Sequence, residues 1–101
     1  MSKSKHDQTA ERLAKKEETE YNRGQGADIQ GGRRAIEVET EATARDGLRQ
    51  LQGYEKPVYI AGADKKATAA ALEVTQGTTV GVMDEKGTIV KSSTRKKRSS
   101  E

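Results

Sequence analysis

The stretch Ala27-Asp28-Ile29-Gln30-Gly31-Gly32-Arg33-Arg34-Ala35-Ile36-Glu37-Val38-Glu39 decides how this chain is read. Two short runs of strand-forming residues, 27–30 and 33–39, flank a Gly-Gly pair. Both glycines tolerate positive φ, so the pair predicts a two-residue hairpin turn. The second run alternates, with Ile36 and Val38 on one face and Ala35, Glu37 and Glu39 on the other. A turn at Gly31-Gly32 sets Asp28 opposite Ala35, with Glu37 as its diagonal neighbour within about 7–8 Å. Three carboxylates then crowd one face with few bases beside them. Their repulsion is unfavourable unless a cation or solvent relieves it. Such a cluster suits Mg²⁺ or Mn²⁺, a hard cation with oxygen ligands that keeps waters for substrate phosphates. An ordinary half-buried strand with its polar face in water has the same alternation.

Outward from the hairpin, the pattern is regular. Residues 5–18 hold good helix formers without Gly or Pro, with a thin apolar face of Ala10, Leu13 and Ala14. After the hairpin, Thr40 or Thr43 can cap a helix to about residue 52, with Thr43-x-x-Asp46 resembling a capping box. Gly53 ends it. Pro57 opens the strand Val58-Tyr59-Ile60-Ala61, apolar on both faces as a central strand is. Asp64 is an N-cap for an Ala-rich helix over 65–75, which Gly77 stops. Residues 79–83 and 88–90 are strands joined by a turn at Asp84-Glu85-Lys86-Gly87. The order is α-β-β-α-β-α-β-β, with room for a short strand near 20–22, and predicts an α/β fold with a mixed sheet flanked by helices.

The chain has 101 residues, 31% hydrophobic and 35% charged. That length allows one small domain. Leu, Ile and Val number 14, and 13 of them fall between Ile29 and Val90. The apolar material is concentrated, so the expected organisation is a flexible leader over 1–4, a domain over 5–91 and a disordered basic tail over 92–101. Residues 91–101, with Lys91, Arg95, Lys96, Lys97 and Arg98 against Glu101, carry +4, whereas residues 20–90 carry −2. A flexible basic arm suits phosphate binding, and it equally suits a solubilising terminus. No cysteine is present, and the one histidine, His6, falls in a polar leader. Thiolate metal sites, zinc held by histidines and a Ser-His-Asp triad are excluded. No apolar run approaches the ~20 residues that cross a bilayer and no signal-peptide pattern opens the chain, so a cytoplasmic protein without membrane attachment is expected.

Asp28, eight intervening residues and then Glu37-Val38-Glu39 resembles the bipartite motif of the PD-(D/E)XK nuclease superfamily, on the hairpin where that family carries it. Thr9-Ala10-Glu11-Arg12-Leu13 resembles the first helix of Holliday junction resolvases, which supplies a further acidic residue. Gln50-Leu51-Gln52-Gly53-Tyr54 is similar to the Q-x-x-x-Y element of RecB-type nuclease domains. The resemblance covers about residues 5–90. Ala27 stands where the family has its proline, and Glu39 where it usually has lysine.

The resemblance implies a restriction-endonuclease-like core (α-β-β-β-α-β-α-β) and metal-dependent hydrolysis of DNA. It implies Asp28, Glu37 and Glu11 as ligands of Mg²⁺ or Mn²⁺, and Glu39 as a ligand or orienter of the attacking water. Gln50 and Tyr54, four residues apart, would share a helix face and contact substrate or position a carboxylate. Arg33 and Arg34 at the hairpin tip, Arg45 and Arg49 on the helix, and the basic tail are candidate phosphate contacts, with plain surface charge as the alternative. Aromatic residues interleaved with basic ones are nearly absent, so duplex or branched DNA gripped through its backbone is the expected partner. A homodimer is expected, because the core is small and cutting two strands needs two sites. Two other readings remain: a catalytically silent domain of the same fold that binds nucleic acid or protein, and an α/β adaptor whose acidic strand meets only solvent.

Overall fold

A computed structural model describes residues 4–17, 19, 27–30 and 33–95. The elements are α1 (Lys5–Lys16), β1 (Ile29–Gln30), β2 (Ala35–Glu39), α2 (Ala44–Gln50), β3 (Val58–Gly62), α3 (Lys65–Val74), β4 (Gly81–Met83) and β5 (Ile89–Lys91). Their order is the α-β-β-α-β-α-β-β of the sequence reading. The five strands form one sheet in the order β1-β2-β3-β4-β5. β2, β3 and β4 run parallel, and β1 and β5 are antiparallel edges. Each parallel step is bridged by a helix, α2 then α3, as parallel pairing requires. The expected strand near 20–22 lies outside the described residues, and so do Gly31 and Gly32.

The sheet is buried on both faces. Ala10, Leu13 and Ala14 of α1 pack against Ile29, Ile36, Val38 and Met83. On the other face Ala71 of α3 and Leu51, just past α2, meet Ala35, Val58, Ile60 and Val82. Burying one side chain such as Leu13 stabilises by about 2 kcal/mol, so this thin layer matters to the whole fold.

Caps define two of the helices. The Ser4 hydroxyl accepts from the Asp7 N–H, and Asp64 accepts from the Ala67 N–H at 2.9 Å. The capping box expected at Thr43 does not form. Thr43 Oγ1 instead accepts the Thr40 N–H at 2.9 Å and makes no cap bond. α2 stops at Gln50, two residues short of the expected end, and Gly53 follows with φ of 87°. In the β4–β5 turn, Asp84 Oδ1 accepts the N–H groups of Lys86 and Thr88, each at 2.9 Å.

The sequence reading puts everything from residue 92 in a tail. Ser93 Oγ donates to the Thr79 carbonyl at 2.8 Å and accepts the Val58 N–H at 3.2 Å. Arg95 Nη1 donates to the carbonyls of Leu51 and Tyr54, at 2.6 and 3.1 Å. The chain is thus tied to the domain as far as Arg95. Lys96, Lys97 and Arg98 lie outside the described residues, as do residues 1–3 of the expected leader. Among the described residues no helix is long and apolar enough to cross a membrane.

Candidate carboxylate site

β1 and β2 pair with Ile29 opposite Ile36 and Gln30 opposite Ala35. The register differs by two residues from that of a tight Gly-Gly turn. The shift keeps every side chain on its expected face but leaves residues 31–34 between the strands. Continued by one residue, it puts Asp28 directly opposite Glu37 rather than diagonal to it. The Asp28 N–H accordingly donates to Glu37 Oε2 at 3.1 Å.

Asp28 sits where the edge strand gives out. β1 is only two residues long, so the Val38 N–H on β2 has no strand partner at that level. Asp28 Oδ2 takes the place of the missing backbone acceptor, 2.9 Å from the Val38 nitrogen. The same oxygen lies 3.1 Å from Nε2 of His6, in the first turn of α1. Asp28 therefore ties β2 to α1.

Glu37 and Glu39 point to the α2 side of the sheet and are only 7% and 6% exposed. α2 approaches closely there because residue 47 is glycine. A Cβ on Gly47 would stand 3.0 Å from Glu39 Cγ and 2.9 Å from Ile60 Cδ1. Burial raises the Glu37 pKa to about 8, helped by the charges of Asp28 and Glu39 and opposed by the Asp28 N–H. Burial also raises the Glu39 pKa, with the Thr43 hydroxyl opposing. Each of the two carboxyls also shifts the other's titration, Glu39 raising Glu37 and Glu37 lowering Glu39, so the proton is favoured on Glu37. At neutral pH the group holds less negative charge than three free carboxylates.

His6 is the residue that sequence reasoning passed over. Its signal was present: His6, Ala10 and Leu13 stand at the i, i+4, i+7 spacing of one helix face. Nε2 faces Asp28, and Nδ1 lies 3.4 Å from Asp7 Oδ1. With a carboxylate at each ring nitrogen, both nitrogens act as donors only if the ring is charged. The hydrogen bond that the ring donates to Asp28 raises the His6 pKa to about 9, against partial burial.

The other predicted site residues are placed as follows. Glu11 lies on α1 five residues beyond His6, about 140° around the helix from it. Tyr54 is not on α2 with Gln50, because the helix ends before it. Its hydroxyl accepts the Ala27 N–H at 3.0 Å while its ring packs on the α2–α3 side of the core. Gln50 is exposed. Arg34 forks onto both Glu17 oxygens at 2.7 and 2.8 Å and stacks 5.8 Å from the Tyr59 ring centre. Arg33 is exposed, whereas Arg95 is held by main-chain carbonyls. Of the expected residues, Asp28, Glu37 and Glu39 come together.

Among the described residues no set of three or more His, Cys, Asp and Glu side chains is disposed as a ready-made metal centre. Asp28 and Glu37 are neighbouring residues across the β1–β2 pair, joined by the Asp28 N–H on Glu37 Oε2, and together they offer two carboxylates. That donor set fits Mg²⁺ or Mn²⁺, which takes one or two carboxylates and fills its other positions with water and substrate oxygens. Comparison with family models, curated proteins and solved structures gives no match. The residues themselves carry the functional argument.

Proposed function

We propose that this chain is a divalent-cation-dependent DNA nuclease domain with a restriction-endonuclease-like core. The observation that carries the reading is the main-chain bond from Asp28 to the Glu37 carboxylate, which sets these two acids side by side with a buried Glu39 towards the carboxyl end of a parallel strand. Clefts at the carboxyl ends of parallel strands are where open α/β sheets place ligands. Asp28 and Glu37 would hold the cation, Mg²⁺ or Mn²⁺, and Glu39 would ligate it or orient water. The bound cation supplies an activated water and neutralises charge on the scissile phosphate. His6, fixed on Asp28, keeps that carboxylate oriented. A homodimer would bring two such sites to the two strands of a duplex.

One observation favours a second reading, a silent DNA-binding domain of the same fold. His6 already provides a positive charge at Asp28, and Glu39 stands where the resembled family has its lysine. The test is cleavage of supercoiled plasmid and of branched duplex with Mn²⁺ or Mg²⁺. Nicking that needs the metal, is faster with Mn²⁺ and disappears in Asp28→Asn supports the nuclease. Binding without cleavage of any duplex, single-stranded or branched substrate selects the silent domain.

A further inference from the structure

Of the arginines that the sequence offers for phosphate, Arg34 is neutralised by Glu17 and Arg95 is fixed by the carbonyls of Leu51 and Tyr54, whereas Arg33, Arg45 and Arg49 are exposed. A different set of cations, Lys5, Arg12 and Lys65, lines a groove of about 250 Å³. α1 forms one wall, with Lys5, Gln8 and Arg12, and the start of α3 forms the other, with Asp64 and Lys65. Glu85, in the β4–β5 turn, closes one end.

The first turn of α1 serves both the groove, through Lys5, and the carboxylate site, through His6. His6 reaches Asp28 on one side of the end of β2, while its neighbour Lys5 reaches Asp64 on the other, at 3.5 Å. Between them the Ala63 N–H donates to the Glu39 carbonyl at 2.9 Å. Lys5, Arg12 and Lys16 are spaced seven and four residues apart, which aligns them in one stripe about 16 Å long. Measured along a duplex axis, that length spans roughly five phosphates of one strand. Arg12 is steadied by the Glu85 carbonyl at 2.9 Å, and Lys16 by those of Lys86 and Gly87, both at 3.4 Å. Carbonyl anchoring leaves their charge unneutralised. The amino end of α3 adds positive potential from the opposite wall.

We infer that the groove between α1 and the amino end of α3 is the track for a DNA backbone, with Lys5, Arg12 and Lys65 contacting its phosphates. The identity of the ligand as DNA rests on the nuclease reading. The track itself stands on the arrangement of these cations around the groove. It is independent of whether cleavage occurs, because phosphate contacts position a duplex without any chemistry.

The test is equilibrium binding of a short fluorescent duplex to the full chain in EDTA, across a salt series. Three variants are compared with wild type: the triple change Lys5→Gln, Arg12→Gln and Lys65→Gln; the single change Glu85→Gln; and Lys15→Gln, an exposed α1 residue outside the groove lining, as a control. Wild type should bind with a steep salt dependence. The triple variant should lose at least about tenfold in affinity at low salt, with the log–log slope smaller by about 3. Glu85→Gln, which removes an acid from the groove, should bind more tightly, and this guards against a folding defect in the triple variant. The control should match wild type. An unchanged slope in the triple variant, or wild-type protein that binds no duplex at low salt, overturns the track. Failure to cleave, with these binding results intact, overturns only the nuclease reading.

Discussion

Asp28 and His6, 22 residues apart, meet through a 3.1 Å contact between Oδ2 and Nε2, and the same oxygen also accepts the Val38 N–H. From the sequence alone, removing one charge from a crowded acidic face is expected to be neutral or stabilising. The contact reverses that expectation for Asp28. Asp28→Asn keeps a carbonyl acceptor for Val38 but leaves His6 without its anion. The change should cost about 1–2 kcal/mol at pH 6, read from denaturant melts. A variant as stable as wild type there would show that the His6 contact contributes nothing.

Two groups make stability fall as the pH rises. The folded His6 pKa is about 9, above its unfolded value near 6.5, so its contribution is complete below 6.5 and lost by about 9. Glu37 holds its proton to about pH 8 when folded but only to about 4.5 when unfolded. Burial of its charged form therefore weakens the fold progressively between those values. Glu37→Gln keeps an acceptor for the Asp28 N–H and abolishes the second effect. That variant should be more stable than wild type at pH 8 by about 1 kcal/mol, with a flatter pH profile. A profile parallel to that of wild type would mean that Glu37 is already ionised in the fold.

Glu39→Lys tests the departure from the resembled family. The new ammonium would lie beside Glu37 and pull its pKa down toward the ordinary range. Proton NMR titration of the folded variant should show that drop whether or not DNA is cut. In the nuclease reading, Mg²⁺-supported nicking should also rise, by about tenfold if the cation helps charge develop in the transition state. An unmoved Glu37 titration would place residue 39 outside the cluster.

Tyr54 and Gln50 separate by role. Tyr54→Phe removes the acceptor of the buried Ala27 N–H, at 3.0 Å in the wild type, and should cost about 1–2 kcal/mol. Gln50→Ala, on an exposed helix end, should stay within about 0.5 kcal/mol. Equal losses in thermal melts would restore the pairing of the two residues on one helical face.

Element order was legible in the sequence because each strand and helix carries its own local signal. The apolar runs of β3 and β4 and the Asp64 cap of α3 are examples. The acidic face was legible too, since alternation along β2 survives a register shift of two residues. The shift itself was hidden: Gly31-Gly32 favours a tight turn, but Ile29 opposite Ile36 is the observed pairing. His6 was missed because its partner Asp28 is remote in sequence and only tertiary packing joins them. Arg95 was placed in a tail because its ligands are backbone carbonyls, which no side-chain pattern announces.

In the proposed nuclease Asp28 and Glu37 hold a divalent cation. Crystals soaked in Mn²⁺ and measured at its absorption edge should show one anomalous peak within about 2–2.6 Å of an oxygen of each carboxylate, absent from Asp28→Asn crystals. Mn²⁺-soaked crystals with no peak between the two carboxylates would contradict it.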